Sequence, residues 1–213
     1  KLKYGHKIAP LIVPNIVDGK MKGFVKVAYG VLRDWEKNEF EVPDYLKEKF
    51  GEKVYKLPIN LPITCPNRIQ NSGCTFCSDL GTGFEAMSNT VSVREQLTRT
   101  KELITKKYKA KKFIAYFQNY TNTFMPLEQF KEYIREAAMI DDIVEISIST
   151  RPDCIHDDYL EYLKEVEETT NIAINIELGL QTVNYHTLDF INRGHGLAEF
   201  IDAVLRIKRY GFT

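Results

Sequence analysis

Three of the four cysteines in this 213-residue chain fall in one short stretch, TCPNRIQNSGCTFCSDLGTG, residues 64–83. Cys65, Cys74 and Cys77 are spaced C-x8-C-x2-C, with Phe76 directly before the last. Thiolates are nucleophiles and soft metal ligands, and this spacing leaves three chemistries open. A C-x2-C pair is a common zinc half-site, but a closed zinc site needs a fourth ligand, and Cys154 stands alone on a distant loop. A redox C-x2-C pair leaves Cys65 without a role. A 4Fe–4S cubane takes a thiolate at each iron, so three cysteines leave one iron with an open position. An open metal position marks a site that binds something besides protein, such as the amine and carboxylate of a small molecule.

Composition narrows the setting. Lys+Arg and Asp+Glu both number 29, so no global field directs the chain to nucleic acid or an anionic membrane. The basic run KKYKAKK, residues 106–112, reads as a solvated helix end rather than an RNA patch. A hydrophobic share of 44% and a charged share of 27% are ordinary for a soluble globular protein. No apolar run approaches the roughly 20 residues of a spanning helix. Four cysteines are too few for a disulfide scaffold, and their clustering fits metal or redox chemistry in a cytoplasmic protein. The chain opens on Lys1 with no signal peptide, so its native start is expected upstream.

The elements that must hold the cysteine loop are legible from Val54 onward. KVYKLPINLPIT reads as an extended edge strand with prolines. SVREQLTRTKELITKKY is amphipathic, with Val93, Leu97, Leu103 and Ile104 as its apolar stripe and Ser92 to Glu95 as a capping box. KKFIAYFQ, DIVEISIST and NIAINIELGLQT read as three more strands. PLEQFKEYIREAAMI, with Pro126 in the first turn, and HDDYLEYLKEVEETT read as the intervening helices. One or two helices follow in HTLDFINRGHGLAEFIDAVLRIKRYG, and GFT reads as the opening of a fifth strand. Such alternation predicts right-handed βαβ units on a parallel sheet, with near-continuous apolar strands such as FIAYF and INIEL. Ligands bind beyond the carboxyl ends of parallel strands. The cysteine loop, QNYTNT, TRPD and QTVN all follow strands and are expected to share that rim. The fold class is therefore α/β, a partial (β/α) barrel with about four parallel units and an open edge, expected to be part of a longer domain. Residues 1–42 stand outside the alternation as an extension of unassigned role, with extended runs broken by Gly and Pro; a short helix ending at Gly51 follows.

The three-cysteine loop after the first strand, together with GEKVYKLPINLPITCPNR, AYFQNYTNTFMPLE, ISTRPDCI and IELGLQTVNYHTLDFINRGH, resembles the radical S-adenosylmethionine (radical SAM) superfamily. Within it, the chain is similar to the YhcC-type proteins, relatives of the catalytic subunit of Elongator. The resemblance runs in order from about Pro43 to Thr213, defining a domain over 43–213. It departs from the superfamily's usual C-x3-C-x2-C, and the x8 interval fits the YhcC and Elongator branch. The family continues through two further strands and a C-terminal region.

The resemblance implies that Cys65, Cys74 and Cys77 ligate a 4Fe–4S cluster whose fourth iron chelates S-adenosylmethionine. One electron, from a donor such as flavodoxin or ferredoxin, then yields methionine and a 5′-deoxyadenosyl radical that abstracts hydrogen from a substrate. It places Gln118 and Asn119 at the methionyl amine, Arg151 and Thr150 at a carboxylate, and Gln181 at the ribose hydroxyls. The bland alternatives are strand-end capping for Gln118 and Asn119, and a Pro152-stiffened turn with Asp153 capping a helix for RPD. Phe76 is expected to shield the cluster, and Gly81 and Gly83 to let the loop pass close over it. Tyr116, Tyr120 and Asn122 are rim candidates, and Glu177 reads as structural. Cys154 reads as a small buried hydrophobe. His195 is not assigned as a base, and His6, His156 and His186 show no partner by spacing. No catalytic side chain is assigned, and the substrate is open, with RNA possible but not indicated. The alternatives from other classes are a zinc-stabilised binding module and a cluster-binding fragment without activity.

Overall fold

A computed structural model describes residues 11–17, 20–27, 42–70, 72–77 and 86–213. The N-terminal stretch contributes a hairpin, β1 (Leu11–Val17) against β2 (Lys20–Val27), antiparallel with an irregularity between Asn15 and Ile16. Helix α1 (Val42–Phe50) stops at Gly51, whose φ of +79° suits a residue without a Cβ. Thereafter β3 (Val54–Ile59), α2 (Pro66–Gln70), α3 (Val93–Tyr108), β4 (Lys112–Phe117), α4 (Leu127–Ala138) and β5 (Ile143–Thr150) follow. A 3-10 turn (Pro152–Cys154), α5 (Asp157–Thr170), β6 (Ala173–Leu178), α6 (Tyr185–Phe190) and α7 (Leu197–Arg209) complete the order.

Strands β3-β4-β5-β6 form one open parallel sheet in that spatial order, the α/β arrangement of a partial barrel. Pro58 sits within β3, and β3 is an edge strand, where a missing N–H is tolerated. Side chains alternate between two faces of unlike character. On one, Leu57, Ile59, Phe113, Phe117, Ile146 and Ile148 are buried in a core shared with Leu97 of α3, Phe130 of α4, Leu163 of α5 and Ile207 of α7. Each such side chain contributes about 1.5–3 kcal/mol, against about 0–1 kcal/mol for an exposed pair such as Lys131–Glu128. Burial of this face holds the sheet together.

The other face is polar. Glu177 on β6 accepts from Lys56 Nζ at 2.8 Å, Tyr116 Oη at 2.8 Å, and Ser149 Oγ at 3.2 Å, while Asn175 Nδ2 donates to Ser147 Oγ at 2.8 Å. Burial alone would raise the Glu177 carboxyl, but Lys56 and these donors outweigh it and hold it below its ordinary value. The expected near-continuous apolar run therefore holds for β4 and not for β6, where Asn175 and Glu177 take alternate positions. Alternation of this kind marks a face not packed against helices. Among the described residues it is covered toward the amino end, where Leu46 of α1 packs on Val54 and Ile114 and Lys49 Nζ meets Glu145 at 2.5 Å.

Helix α3 starts at the expected N-cap, with Ser92 Oγ accepting from the Glu95 N–H at 3.2 Å, while the Glu95 carboxylate pairs with Arg99 instead of closing the capping box. One expected stripe member is misplaced: Leu103 is 69% exposed, whereas Val93 and Leu97 are buried. At 3.6 residues per turn, Leu103 falls about 100° away from the Val93–Leu97–Ile104 line. Pro126 occupies the N-cap position of α4, one place earlier than expected. At the far end, Thr213 O accepts from the Ile176 N–H at 2.8 Å, so the expected start of a further strand lies alongside β6. Among the described residues, no helix is long and apolar enough to cross a membrane.

Candidate metal centre at the strand-end rim

Because the four strands are parallel, the loops after β3, β4, β5 and β6 leave from one edge, and backbone bonds tie neighbours together. Gln118 N–H donates to Ile59 O at 3.4 Å, Asn122 N–H to Ser149 O at 3.2 Å, and Gly179 N–H to Thr150 O at 3.3 Å. Cys65 precedes α2, and its carbonyl accepts from the Arg68 N–H at 2.9 Å. Pro66 opens the helix, where a missing N–H costs nothing. Gly73, at φ +79°, then turns the chain into Cys74, and the Cys77 N–H closes a turn on Cys74 O at 3.0 Å.

A second segment, the NRG sequence after α6, clasps this loop. Asn67 Nδ2 donates to Asn192 O at 2.6 Å, Asn192 Nδ2 donates to Gly73 O at 2.7 Å, and the Thr75 N–H donates to Ile191 O at 3.0 Å. Both Asn192 (φ +52°) and Gly194 (φ +73°) lie in the left-handed region. A Cβ on Gly194 would stand 2.8 Å from Asn67 Oδ1, so glycine is required twice over.

Each loop sulfur has a guanidinium beside it. Arg68 Nη2 lies 3.6 Å from Cys77 Sγ, Arg151 Nη1 lies 3.7 Å from Cys65 Sγ, and Arg193 Nη1 lies 3.4 Å from Cys74 Sγ. Asn67 Nδ2 makes a further approach to Cys74 Sγ at 3.4 Å. All three cysteines are free; Cys74 is buried, and Cys65 and Cys77 are partly exposed. No group of three or more His, Cys, Asp or Glu converges on a single ion among the described residues. A cubane takes one thiolate per iron, so its ligands stand apart rather than meeting at a point.

The other sequence candidates divide clearly. Asn119 is fully buried, and among the described residues neither side-chain amide atom has a hydrogen-bond partner. Gln118 is half-buried beside it, and Gln181, half-buried after β6, adopts φ +79° in a tight turn. Arg151 is buried with every N–H engaged: Nε and Nη2 grip Asp153 at 2.8 and 2.6 Å, Nη2 also reaches Gly194 O, and Nη1 serves Arg193 O and Cys65. Asp153 thus pairs with Arg151 instead of capping α5, whose N-cap residue is His156. Burial would raise the Asp153 carboxyl, but the Arg151 fork holds it below its usual range. Thr150 Oγ1 and Thr123 Oγ1 bond at 2.6 Å, and Thr123 Oγ1 donates to Cys154 O. Asn122 Nδ2 braces Phe117 O and Ser149 O, whereas Tyr116 lies on the polar sheet face below the rim.

Cys154 is buried, and desolvation pushes its thiol up to about 12, the behaviour of an inert small side chain. Burial first, and the Arg193 charge second, push His195 down to about 4, leaving it neutral near pH 7. Phe76 is half-buried; Gly81 and Gly83 lie outside the described residues. A cavity of about 620 Å³ opens beyond Arg151, lined among others by Asn67, Asp153, His156 and Tyr159; it takes in none of the three loop cysteines. Sequence reasoning missed the sulfur contacts of Asn67, Arg68 and Arg193. The first two stand in plain sight in CPNR, next to Cys65, but Arg193 carries no local signal.

Comparison with known proteins agrees with this geometry. Residues 59–213 match the family model described as the radical SAM superfamily. The chain is 40% identical over 179 residues to "Uncharacterized protein YtqA" of Bacillus subtilis (strain 168), covering 83% of this chain and 55% of that protein. It is 35% identical over 169 residues to "Uncharacterized protein MJ0486" of Methanocaldococcus jannaschii, covering 78% of this chain and 52% of that one. "Protein YhcC" of Escherichia coli (strain K12) is 38% identical over 156 residues, 72% of this chain and 49% of its own. The chain spans about half the length of the curated relatives it matches. With a parallel half-barrel sheet, a three-cysteine loop at its rim and a family match over most of its length, the chain belongs to the radical SAM superfamily.

Proposed function

We propose that the chain is the cluster-bearing portion of a radical SAM enzyme, with residues 43–213 forming that domain and 1–42 an extension. Cys65, Cys74 and Cys77 would each hold one iron of a 4Fe–4S cluster. When bound, the cluster and S-adenosylmethionine supply a one-electron reductive cleavage of the C5′–S bond, giving methionine and an organic radical able to take hydrogen from a substrate. The electron comes from a low-potential donor of the flavodoxin or ferredoxin class.

The observation that carries this reading is the donor set itself, three free thiols on one rim loop, each with an N–H donor at its sulfur. Asn119 supports the cosubstrate. A buried amide with no partner costs about 1–3 kcal/mol per unmade bond, unless a ligand completes it. Gln118 and Asn119 are proposed to take the methionyl amine, and Gln181 the ribose. Thr150 and Arg151 already have their donors engaged inside the protein, so their proposed share is to fix the loop and set positive charge beside Cys65. The polar face around Glu177 leads down from the rim and is proposed as the wall that a substrate meets.

Anaerobic reconstitution with iron and sulfide, followed by dithionite and S-adenosylmethionine, tests this directly. The expected result is about four irons per chain and release of 5′-deoxyadenosine. A protein of full family length that holds four irons and never cleaves the sulfonium removes the enzyme claim. One zinc per chain with no iron uptake removes the cluster as well.

A further inference from the structure

Arg193 presents a problem of charge. It is 7% exposed, its Nε has no partner, and no carboxylate lies within ion-pair distance of it among the described residues. Its Nη2 donates to Gly179 O at 2.5 Å, so closely that a Cβ on Gly179 would stand 2.7 Å from that nitrogen. A buried guanidinium without a counter-ion is costly, and among the described residues its one potentially anionic neighbour is Cys74 Sγ. Arg151 differs, because Asp153 cancels its charge. Arg68 stands between these, with its guanidinium on the Cys77 carbonyl and sulfur and over the Tyr120 ring.

Resting on the proposed cluster, we infer that Arg193 sets the cluster's reduction potential through its N–H···S bond and its uncompensated positive charge, with Arg68 adding a further N–H···S bond at Cys77. Potentials of iron–sulfur centres depend on net charge, on hydrogen bonds to the sulfurs and on solvent exposure. Reduction adds one electron to the cluster and no proton, so the reduced form carries one more negative charge. A fixed cation at a ligating sulfur favours that form, and burial of Arg193 keeps solvent from screening it. Three sulfurs served from three separate elements (α2, the loop after β5, and the loop before α7) make the effect divisible. Arg193 is a positioning and tuning residue; it takes no part in bond breaking.

The test is a redox titration of the reconstituted protein, following the electron paramagnetic resonance signal of the reduced cluster. Arg193→Gln is expected to lower the reduced-to-oxidised ratio about tenfold at a fixed solution potential, a shift of about 59 mV for one electron. Arg193→Lys keeps the charge and is expected to recover most of that shift, and Arg68→Gln to move in the same direction as Arg193→Gln by less. A loaded Arg193→Gln cluster titrating with the wild type overturns the inference and leaves the radical SAM reading intact. So does lowered occupancy whose loaded fraction titrates normally, which makes Arg193 a purely structural clasp. If Arg193→Gln takes up no iron, Arg193→Met, which keeps the apolar reach of the side chain without its charge, and Arg68→Gln decide, and wild-type potentials in both overturn it. A wild type that assembles no cluster sinks the functional reading itself.

Discussion

Arg193 Nη1 lies 3.4 Å from Cys74 Sγ although 119 residues separate them. The same segment holds the loop backbone through Asn192 and Gly73, so the shape of the cysteine loop is decided by residues far along the chain.

That dependence makes Gly194→Ala informative. Its φ of +73° carries a backbone penalty of about 1–3 kcal/mol for a residue with a Cβ, and the added carbon collides with Asn67 Oδ1 at 2.8 Å. The matched control is Gly51→Ala, at φ +79° with nothing within 4 Å. Both variants are expected to melt lower than the wild type. Only Gly194→Ala is expected to lose iron on reconstitution, and equal iron contents would show that the clasp does not shape the loop.

Asn119→Leu separates a binding residue from a structural one. Its amide makes no hydrogen bond among the described residues, so replacing it by an apolar side chain of similar size is expected to leave stability unchanged or raise it by about 1 kcal/mol. Binding of S-adenosylmethionine, read by calorimetry on the loaded protein, is expected to weaken at least tenfold. A marked loss of stability with unaltered binding would return Asn119 to a strand-end cap.

His195 gives a pH dependence with a definite sign. Its pKa falls from 6.5 to about 4 on folding. Between those values the unfolded chain takes up a proton that the folded chain refuses, so stability declines as pH drops through that window, by about 3 kcal/mol in total. Urea unfolding of the apo protein at pH 7, 6, 5 and 4 is expected to show this decline. In His195→Gln the part due to this site disappears, and parallel curves for the two proteins would refute the assignment.

Glu177 acts in the same sense at lower pH. Its carboxyl is held below the ordinary 4.5 by Lys56, Tyr116 and Ser149 despite burial. The stability it adds is complete above pH 4.5 and is lost as acid protonates it in the folded state. The gap in unfolding free energy between the wild type and Glu177→Gln is expected to close on acidification below that point. A gap independent of pH would mean the carboxylate charge adds nothing.

Local patterns made the fold legible. Pro58 marked an edge, Ser92 marked the start of α3, Gly51 marked the end of α1, and the strand–helix alternation fixed a parallel sheet. Leu103 was misassigned because four apolar residues within twelve positions do not all share one arc of a helix. The apolar expectation for β6 assumed helices on both faces of the sheet, whereas Asn175 and Glu177 build a polar wall with residues of β4 and β5. At the rim, Cys65, Cys74 and Cys77 could be picked out because thiols are rare and clustered. Their arginine partners could not, since a contact spanning 119 residues is written in the tertiary fold and in no local spacing.

The clasp by the NRG segment also imposes a schedule on synthesis. At roughly 5–20 residues per second, the ribosome completes Cys74 some 6–24 seconds before it reaches Arg193. During that interval Cys74 lacks its Arg193 partner and the loop lacks the clasp that shapes it, while Arg68 already stands beside Cys77. If the loop holds the proposed cluster, iron would meet a finished receptacle only after the nascent polypeptide has grown well past the three cysteines.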